Sequence, residues 1–236
     1  MNFSQRSYQA ELIDDLSLHE EALAQNLREL ALTNYWLGGN QVTISGVEKL
    51  LSNSNKKILN PLTIADLGCG GGDMLKTLAT WLRKKQLKAD LIGVDANAFM
   101  IDYAQKQTAT FPEIRYEQCD IFTEAFQKNQ FDIVTMTLFC HHFTDTQLID
   151  LLAHLKKQTR IGIVINDIHR YWLAYYSISF IARLLKASYL YQHDSKLSVL
   201  RAFRKNEVES IIRKAGFERF NIRWRWAFRW EIVIWI

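Results

Sequence analysis

From Pro61 onward, short β-branched apolar runs alternate with stretches of helical periodicity, and this alternation narrows the possible folds more than any other feature of the chain. LTIADL (62–67), ADLIGVD (89–95), IRYEQ (114–118), FDIVTM (131–136) and RIGIVIN (160–166) have the length and composition of strands. Helical stretches separate them: one through about Lys85, one over roughly 97–109 and one over 144–158. Strands alternating with helices predict a parallel sheet covered on both faces. Near the end, FERFNIRW and FRWEIVIWI meet across a very short connection and read as an antiparallel pair. The expected class is α/β, a Rossmann-like sheet of seven strands: five parallel units plus a C-terminal antiparallel hairpin.

Two regions stand outside that pattern. In residues 1–58, Ser17 and Glu20 have capping-box spacing, and Leu23, Leu27 and Leu30 share a helical face that runs out at Gly38-Gly39. Ser45 and Glu48 repeat the capping pattern ahead of a short second helix. Residues 171–191 predict one or two apolar helices inserted after the fifth strand, and Asn206 to Ala215 a further helix. The expected organisation is therefore a helical lid over 1–58 and a main domain over 59–236, with a helical insertion at about 168–203.

Composition excludes several classes. Of 236 residues, 48% are hydrophobic, enough for a substantial core and too many for a disordered chain. The apolar stretch 171–191 carries Arg183 and Lys186, which argues against a membrane span. The start has neither the basic nor the apolar region of a secretory signal. Cys69, Cys119 and Cys140 form neither a disulfide framework nor a CxxC metal site. A soluble, cytoplasmic protein is expected. The net charge of +4 is mild, but Arg201, Arg204, Lys205, Arg213, Lys214, Arg219, Arg223, Arg225 and Arg229 crowd the last quarter. Such a run suits a solvated face, and also contact with nucleic acid or with an anionic membrane surface.

The segment ADLGCGGGDML (65–75) carries the most chemistry. A strand enters Gly68, Gly70, Gly71 and Gly72, and a helix begins at once. Such glycines let the backbone turn tightly and approach a ligand, for dinucleotides as well as for other nucleoside cofactors. No Gly-Lys-Ser/Thr follows, which excludes a P-loop. Asp95 ends the second strand, about 25 residues on, where a carboxylate accepts the hydroxyls of a ribose. Asp66, just before the glycines, favours a cationic ligand over a pyrophosphate, which it would repel. Asp120, after the third strand, can accept from an adenine amino group.

Taken in order, DLGCGGG, GVD, CDIF and FDIVTMTLF resemble the successive motifs of class I S-adenosylmethionine-dependent methyltransferases over about residues 60–166. The resemblance implies that fold and S-adenosylmethionine as cofactor. It places Asp66, Gly68, Cys69 and Gly70 at the methionine part, Asp95 and Ala96 at the ribose and Asp120 and Ile121 at the adenine, with Thr137 and Leu138 closing the pocket.

Methyl transfer to a hydroxyl gains from a base. CHHFTD (140–145) is similar to the Cys-His-Asp-Trp-Ser-Asp stretch of metal-independent phenolic O-methyltransferases, which makes His141 the expected base. His142 is expected to point towards the following helix, and His169 is the reserve. The loop after strand four lacks the Asn/Asp-Pro-Pro-aromatic motif of amino-methylating enzymes. No acid stands at the end of that strand to pair with Asp167, so no metal is expected. The segments NDIHR, LAY and HDSKLSVLRAF resemble a bacterial subgroup of small-molecule methyltransferases, some associated with aromatic polyketide pathways. With that likeness, Tyr171 and Tyr175 on the insertion and Tyr35 and Trp36 on the lid become candidates for contact with a flat apolar acceptor. The expected partner is thus a small aromatic or polyketide acceptor, not DNA, and contact with a membrane surface, which the charge permits, is not expected. An RNA or protein methyltransferase and a non-catalytic cofactor-binding regulator remain open alternatives, and the oligomeric state is undetermined.

Overall fold

The computed structural model describes residues 2–15, 18–54 and 59–236. Seven strands form one sheet in the order β3-β2-β1-β4-β5-β7-β6. β1 (Leu62–Leu67), β2 (Ala89–Asp95), β3 (Ile114–Gln118), β4 (Phe131–Thr137) and β5 (Thr159–Ile168) are mutually parallel. β7 (Arg229–Trp235) runs antiparallel to both β5 and β6 (Phe220–Arg225). The order reverses between β1 and β4, the switch point where ligands of doubly wound sheets bind.

Strand alternation divides the core between the two faces. Leu62 and Ile64 pack on the side of α2 (Gly39–Ser52) and α3 (Asp73–Lys84), with Ile44, Val47, Leu75 and Leu78. Ala65 and Leu67 turn to the other side, towards α5 (Asp145–Gln158) and α8 (Lys205–Lys214), with Leu151, Leu155, Val208 and Ile212. Thr144 and Gln147 close a capping box at the start of α5. α4 (Ala98–Gln107) begins at Asn97, whose side chain accepts from the Phe99 N–H.

The N-terminal region differs from expectation. Ser17 lies outside the described residues, and α1 (Glu20–Trp36) begins after His19. Gly38, at φ 68°, breaks the chain, but α2 restarts at Gly39. Ser45 and Glu48 are therefore inside α2 and cap nothing. α2 also packs on β5 and β7 and so covers the sheet face, while α1 runs over the carboxyl ends of the strands. After β5 the chain makes two helices, α6 (Trp172–Leu184) and α7 (Tyr189–Arg201). An isolated bridge between His169 and Phe203 ties the neck of this insertion.

Candidate active site

β1 delivers the chain into a turn whose geometry glycine alone accommodates. Gly68 has φ 67°, and a Cβ there would fall 2.0 Å from the Phe139 ring. The Gly70 N–H donates to Asp95 Oδ2 at 3.0 Å, and the Asn97 N–H donates to Asp95 Oδ1 at 3.0 Å. This buckles the end of β2 to the glycine turn. On the facing strand Leu138 adopts φ 55°, rare for a branched side chain, and its N–H donates to the Asn166 carbonyl at 2.8 Å.

The floor beside the turn is acidic and dry. The Thr135 hydroxyl donates to Asp66 Oδ1 at 2.7 Å. Burial, reinforced by the charges of Asp73 and Asp95, nevertheless pushes the Asp66 carboxyl up to about 7. Burial also raises Asp73 and Asp95 above the usual carboxylate range. Three acids whose charge is penalised by burial would be relieved by a cationic ligand and opposed by a pyrophosphate. Asp66, Gly68, Cys69, Gly70, Asp95, Ala96, Asp120, Ile121, Thr137 and Leu138 all line one cavity of about 950 Å³. Asp120 is exposed at its rim, where its carboxylate accepts from the Phe122 N–H.

His141 enters the same cavity from the turn after β4. Its Nδ1 lies 2.7 Å from Asp167 Oδ1, and its Nε2 lies 3.4 Å from Glu11 Oε1. Burial alone would favour the neutral ring. The two carboxylates reverse this and raise its pKa to about 10. Glu11 and Asp167 are correspondingly lowered against their burial. With Glu11 in place the ring therefore holds its proton near pH 7. His142 is corrected. It faces Asp14, with its Nδ1 2.9 Å from Asp14 Oδ1, and lies alongside the His141 ring at 4.5 Å. Both histidines line the cavity. Ligand atoms of Glu11, His141 and His142 lie within 4.8 Å of one another, so these are the described residues that could hold a metal ion. Asp167 is taken up by His141.

His169 lies outside the cavity, between Tyr171 and Trp230 at ring distances of 5.5 and 4.7 Å. Burial lowers its pKa. Tyr35 and Trp36 do not reach the site either. They are 77% and 78% exposed at the end of α1, and the preceding helical turn turns Thr33 and Asn34 inward instead. Tyr171 stacks on Phe228, and Tyr175 packs edge-on against Phe3. The face of α6 that meets the cavity is aliphatic, with Leu173, Ala174, Ile178 and Ile181. Aromatic lining comes from elsewhere: Phe139 and Phe143 after β4, and Trp224, Trp226 and Phe228 around the β6–β7 turn.

Sequence reasoning missed two residues. Glu11 sits on a segment latched to α7, where Asp194 accepts from the Leu12 and Ile13 N–H groups, each at 2.9 Å. Arg229 opens β7 buried in the cavity wall. Its Nη2 donates to Asn34 Oδ1 at 2.7 Å, while its Nη1 has no acceptor. No motif marks Glu11, and nothing in the sequence separates Arg229 from the other basic residues around it.

A family model described as a methyltransferase domain matches residues 64–162. A 2-phytyl-1,4-naphtoquinone methyltransferase of Trichormus variabilis is 32% identical over 113 residues, 46% of this chain and 47% of that protein. The chain thus spans about half the length of the curated relatives it matches. Among solved structures, the plantazolicin methyltransferase BpumL, in complex with a monoazolic desmethylPZN analog and SAH, superposes with a TM-score of 0.65 at 17% identity, covering 91% of this chain and 89% of its own. Human N-acetylserotonin methyltransferase, in complex with SAM, gives 0.64 at 14% identity, over 92% of this chain and 56% of its own. At these identities the structural likeness establishes the fold, that of class I methyltransferases.

Proposed function

We propose that the chain uses S-adenosylmethionine to methylate a small apolar acceptor, at a hydroxyl, a reading supported by the match of residues 64–162 to a methyltransferase-domain model. The observation that carries this reading is a single cavity joining the glycine turn and its buried acids to the His141–Asp167 pair.

The residues present fit the cofactor. Asp95 offers a ribose its carboxylate and Asp120 offers the adenine amino group another. Asp66 and Asp73 suit the ammonium of the amino-acid end. Arg229, with Nη1 lacking an acceptor, suits the carboxylate. The bound cofactor supplies a methyl on a sulfonium, an electrophile that needs no further activation. The protein aligns the acceptor and excludes water.

His141 handles the proton. Asp167 fixes the ring through Nδ1 and leaves Nε2 for the acceptor. In the arrangement with Glu11 in place, Nε2 holds its proton. An acceptor hydroxyl that displaces Glu11, with Glu11 carrying the Nε2 proton away as its neutral carboxyl, would meet a neutral ring able to take the acceptor's own proton as the methyl arrives. The apolar walls from α6 and the β6–β7 turn suit a phenol, quinol or polyketide-like ring. The RNA reading is weaker, because the basic run does not form one free face. Arg201 and Arg229 are buried, and Arg213 and Arg225 pair with Glu209 and Glu231.

The test is release of S-adenosylhomocysteine across a panel of phenols and quinols, with His141→Asn alongside. Turnover should fall by about 10² to 10⁴ in the variant while cofactor affinity holds. Undiminished turnover in His141→Asn would reduce the histidine to a structural part. Tight cofactor binding with no transfer to any acceptor would favour a regulatory role.

A further inference from the structure

A surface helix normally turns a polar face to water. α6 does not. One side buries Ala174, Tyr175 and Ala182. On another, Trp172, Tyr176, Phe180 and Leu184 recur at every fourth position and so share one face. They are 49%, 55%, 67% and 68% exposed. Leu185 and Tyr189 extend the exposed apolar surface past the end of the helix.

The apolar surface also continues in the other direction. Ring contacts run from Tyr176 to Trp172 at 6.5 Å, to Tyr171 at 5.7 Å, to Phe228 at 6.0 Å and to Trp224 at 6.2 Å. Trp226, 74% exposed on the β6–β7 turn, and Leu173 on α6 both line the cavity. They therefore stand at its rim. An unbroken apolar surface leads from the outside of the insertion into the site, and exposed patches of this kind mark interaction surfaces.

The exposed charges on the helix and its C-terminal turn are cationic, while the nearby Glu29 carboxylate is taken up by Ser188. Between Asp167 and Asp194 the sequence holds no carboxylate, while Arg183 and Lys186 are exposed beside the stripe. On the hairpin, Arg223 and Arg225 alternate onto the strand face opposite Trp224, and Arg225 pairs with Glu231, so the cations beside the stripe are Arg183 and Lys186. A two-fold pairing of this face with itself would bring cations against cations. An anionic lipid surface is complementary to both the charge and the aromatic rings, since tryptophan and tyrosine favour the headgroup boundary and arginine and lysine the phosphates. No helix among the described residues is long and apolar enough to cross a membrane.

We propose that this face docks peripherally on an anionic bilayer, with α6 lying in the interfacial plane and the cavity rim at Leu173 and Trp226 turned towards the acyl region. A lipophilic acceptor then enters the cavity from the bilayer without crossing water. That last step rests on the small apolar acceptor proposed above; the docking rests on the surface alone.

The test uses the full chain and two vesicle preparations, phosphatidylcholine alone and phosphatidylcholine mixed with phosphatidylglycerol. Co-sedimentation should occur with the mixed vesicles, weaken as salt is raised and blue-shift the tryptophan emission. Trp172→Ser/Phe180→Ser and Arg183→Glu/Lys186→Glu should each weaken binding by about tenfold or more, while affinity for S-adenosylhomocysteine, measured by calorimetry, stays unchanged. Absence of binding to the mixed vesicles, or equal binding by the variants, overturns the proposal. So does a concentration-dependent dimer that Phe180→Ser abolishes, which would assign the face to a second copy. Vesicle binding without S-adenosylhomocysteine binding would leave the docking standing and remove the catalytic reading.

Discussion

Replacing Glu11 by Gln should return His141 towards an ordinary imidazole. Glu11 Oε1 lies 3.4 Å from His141 Nε2 with both side chains buried, so little solvent screens the pair. An opposite charge at such a distance shifts a pKa by about 1–3 units. The ring is held at about 10 by Asp167 and Glu11 together. Removing one of the two carboxylates should therefore lower its pKa by roughly 1–3 units, with Asp167 keeping it above the ordinary value of about 6.5. Gln keeps the shape, so packing against α7 is preserved. The ring resonances of ¹³C-labelled histidine, assigned with His141→Asn and followed over pH, read this directly and require no acceptor. The linkage signs are fixed by the same shifts. His141, raised in the fold, stabilises fully below its unfolded pKa, and that contribution is lost as pH climbs towards about 10. Glu11 and Asp167, both lowered, stabilise above their unfolded values and lose that contribution as pH falls through their folded ones. Thermal stability should thus decline on the alkaline side in the wild type and less steeply in Glu11→Gln. A wild-type His141 that titrates near 6.5, or an unchanged titration in Glu11→Gln, would refute the reasoning.

Two further outcomes follow from the site. Gly68→Ala combines a positive φ with a Cβ 2.0 Å from the Phe139 ring, so it should cost about 1–3 kcal/mol in chemical denaturation and abolish cofactor binding; a fully stable, fully binding variant would contradict the close approach. Methyl transfer should survive EDTA, with Glu11 acting on His141 as a charge partner and not as a fellow ligand. Loss on chelation with recovery on adding a divalent cation would instead make Glu11, His141 and His142 metal ligands.

The chemistry that repeats along the chain was legible in the sequence. Apolar runs such as LTIADL and FDIVTM owe their strand form to burial on two faces, which composition reports, and the glycines at 68 and 70 reflect a backbone requirement that no other residue meets. Asp66 and Asp95 could be placed because they sit at fixed distances from that turn. What failed was direction on helices and partners across the chain. Tyr35 and Trp36 lie next to Asn34, yet a rotation of about 100° per residue sends them to solvent. Tyr171 and Tyr175 were expected to line the pocket as aromatics, but α6 turns its aliphatic side inward and keeps its rings outside. Glu11 meets His141 across 130 residues of sequence, and that meeting helps hold a proton on the ring. Long-range electrostatic partners have no local signature, so neither Glu11 nor the acceptor-free Nη1 of Arg229 could be found by pattern.

The central claim is that the glycine turn and its buried acids receive S-adenosylmethionine. Isothermal titration of the wild-type chain and of Asp95→Ala with S-adenosylmethionine, and with NAD for comparison, tests it most directly. The wild type should bind S-adenosylmethionine and not NAD. Because Asp66 is held near 7, binding of the cationic ligand near neutral pH should release protons, seen as a dependence of the apparent enthalpy on the buffer. Asp95→Ala should weaken affinity by about tenfold to a hundredfold, the loss of hydrogen bonds to a charged acceptor. Binding of NAD with none of S-adenosylmethionine, or an Asp95→Ala variant that binds as tightly as the wild type, would contradict the account.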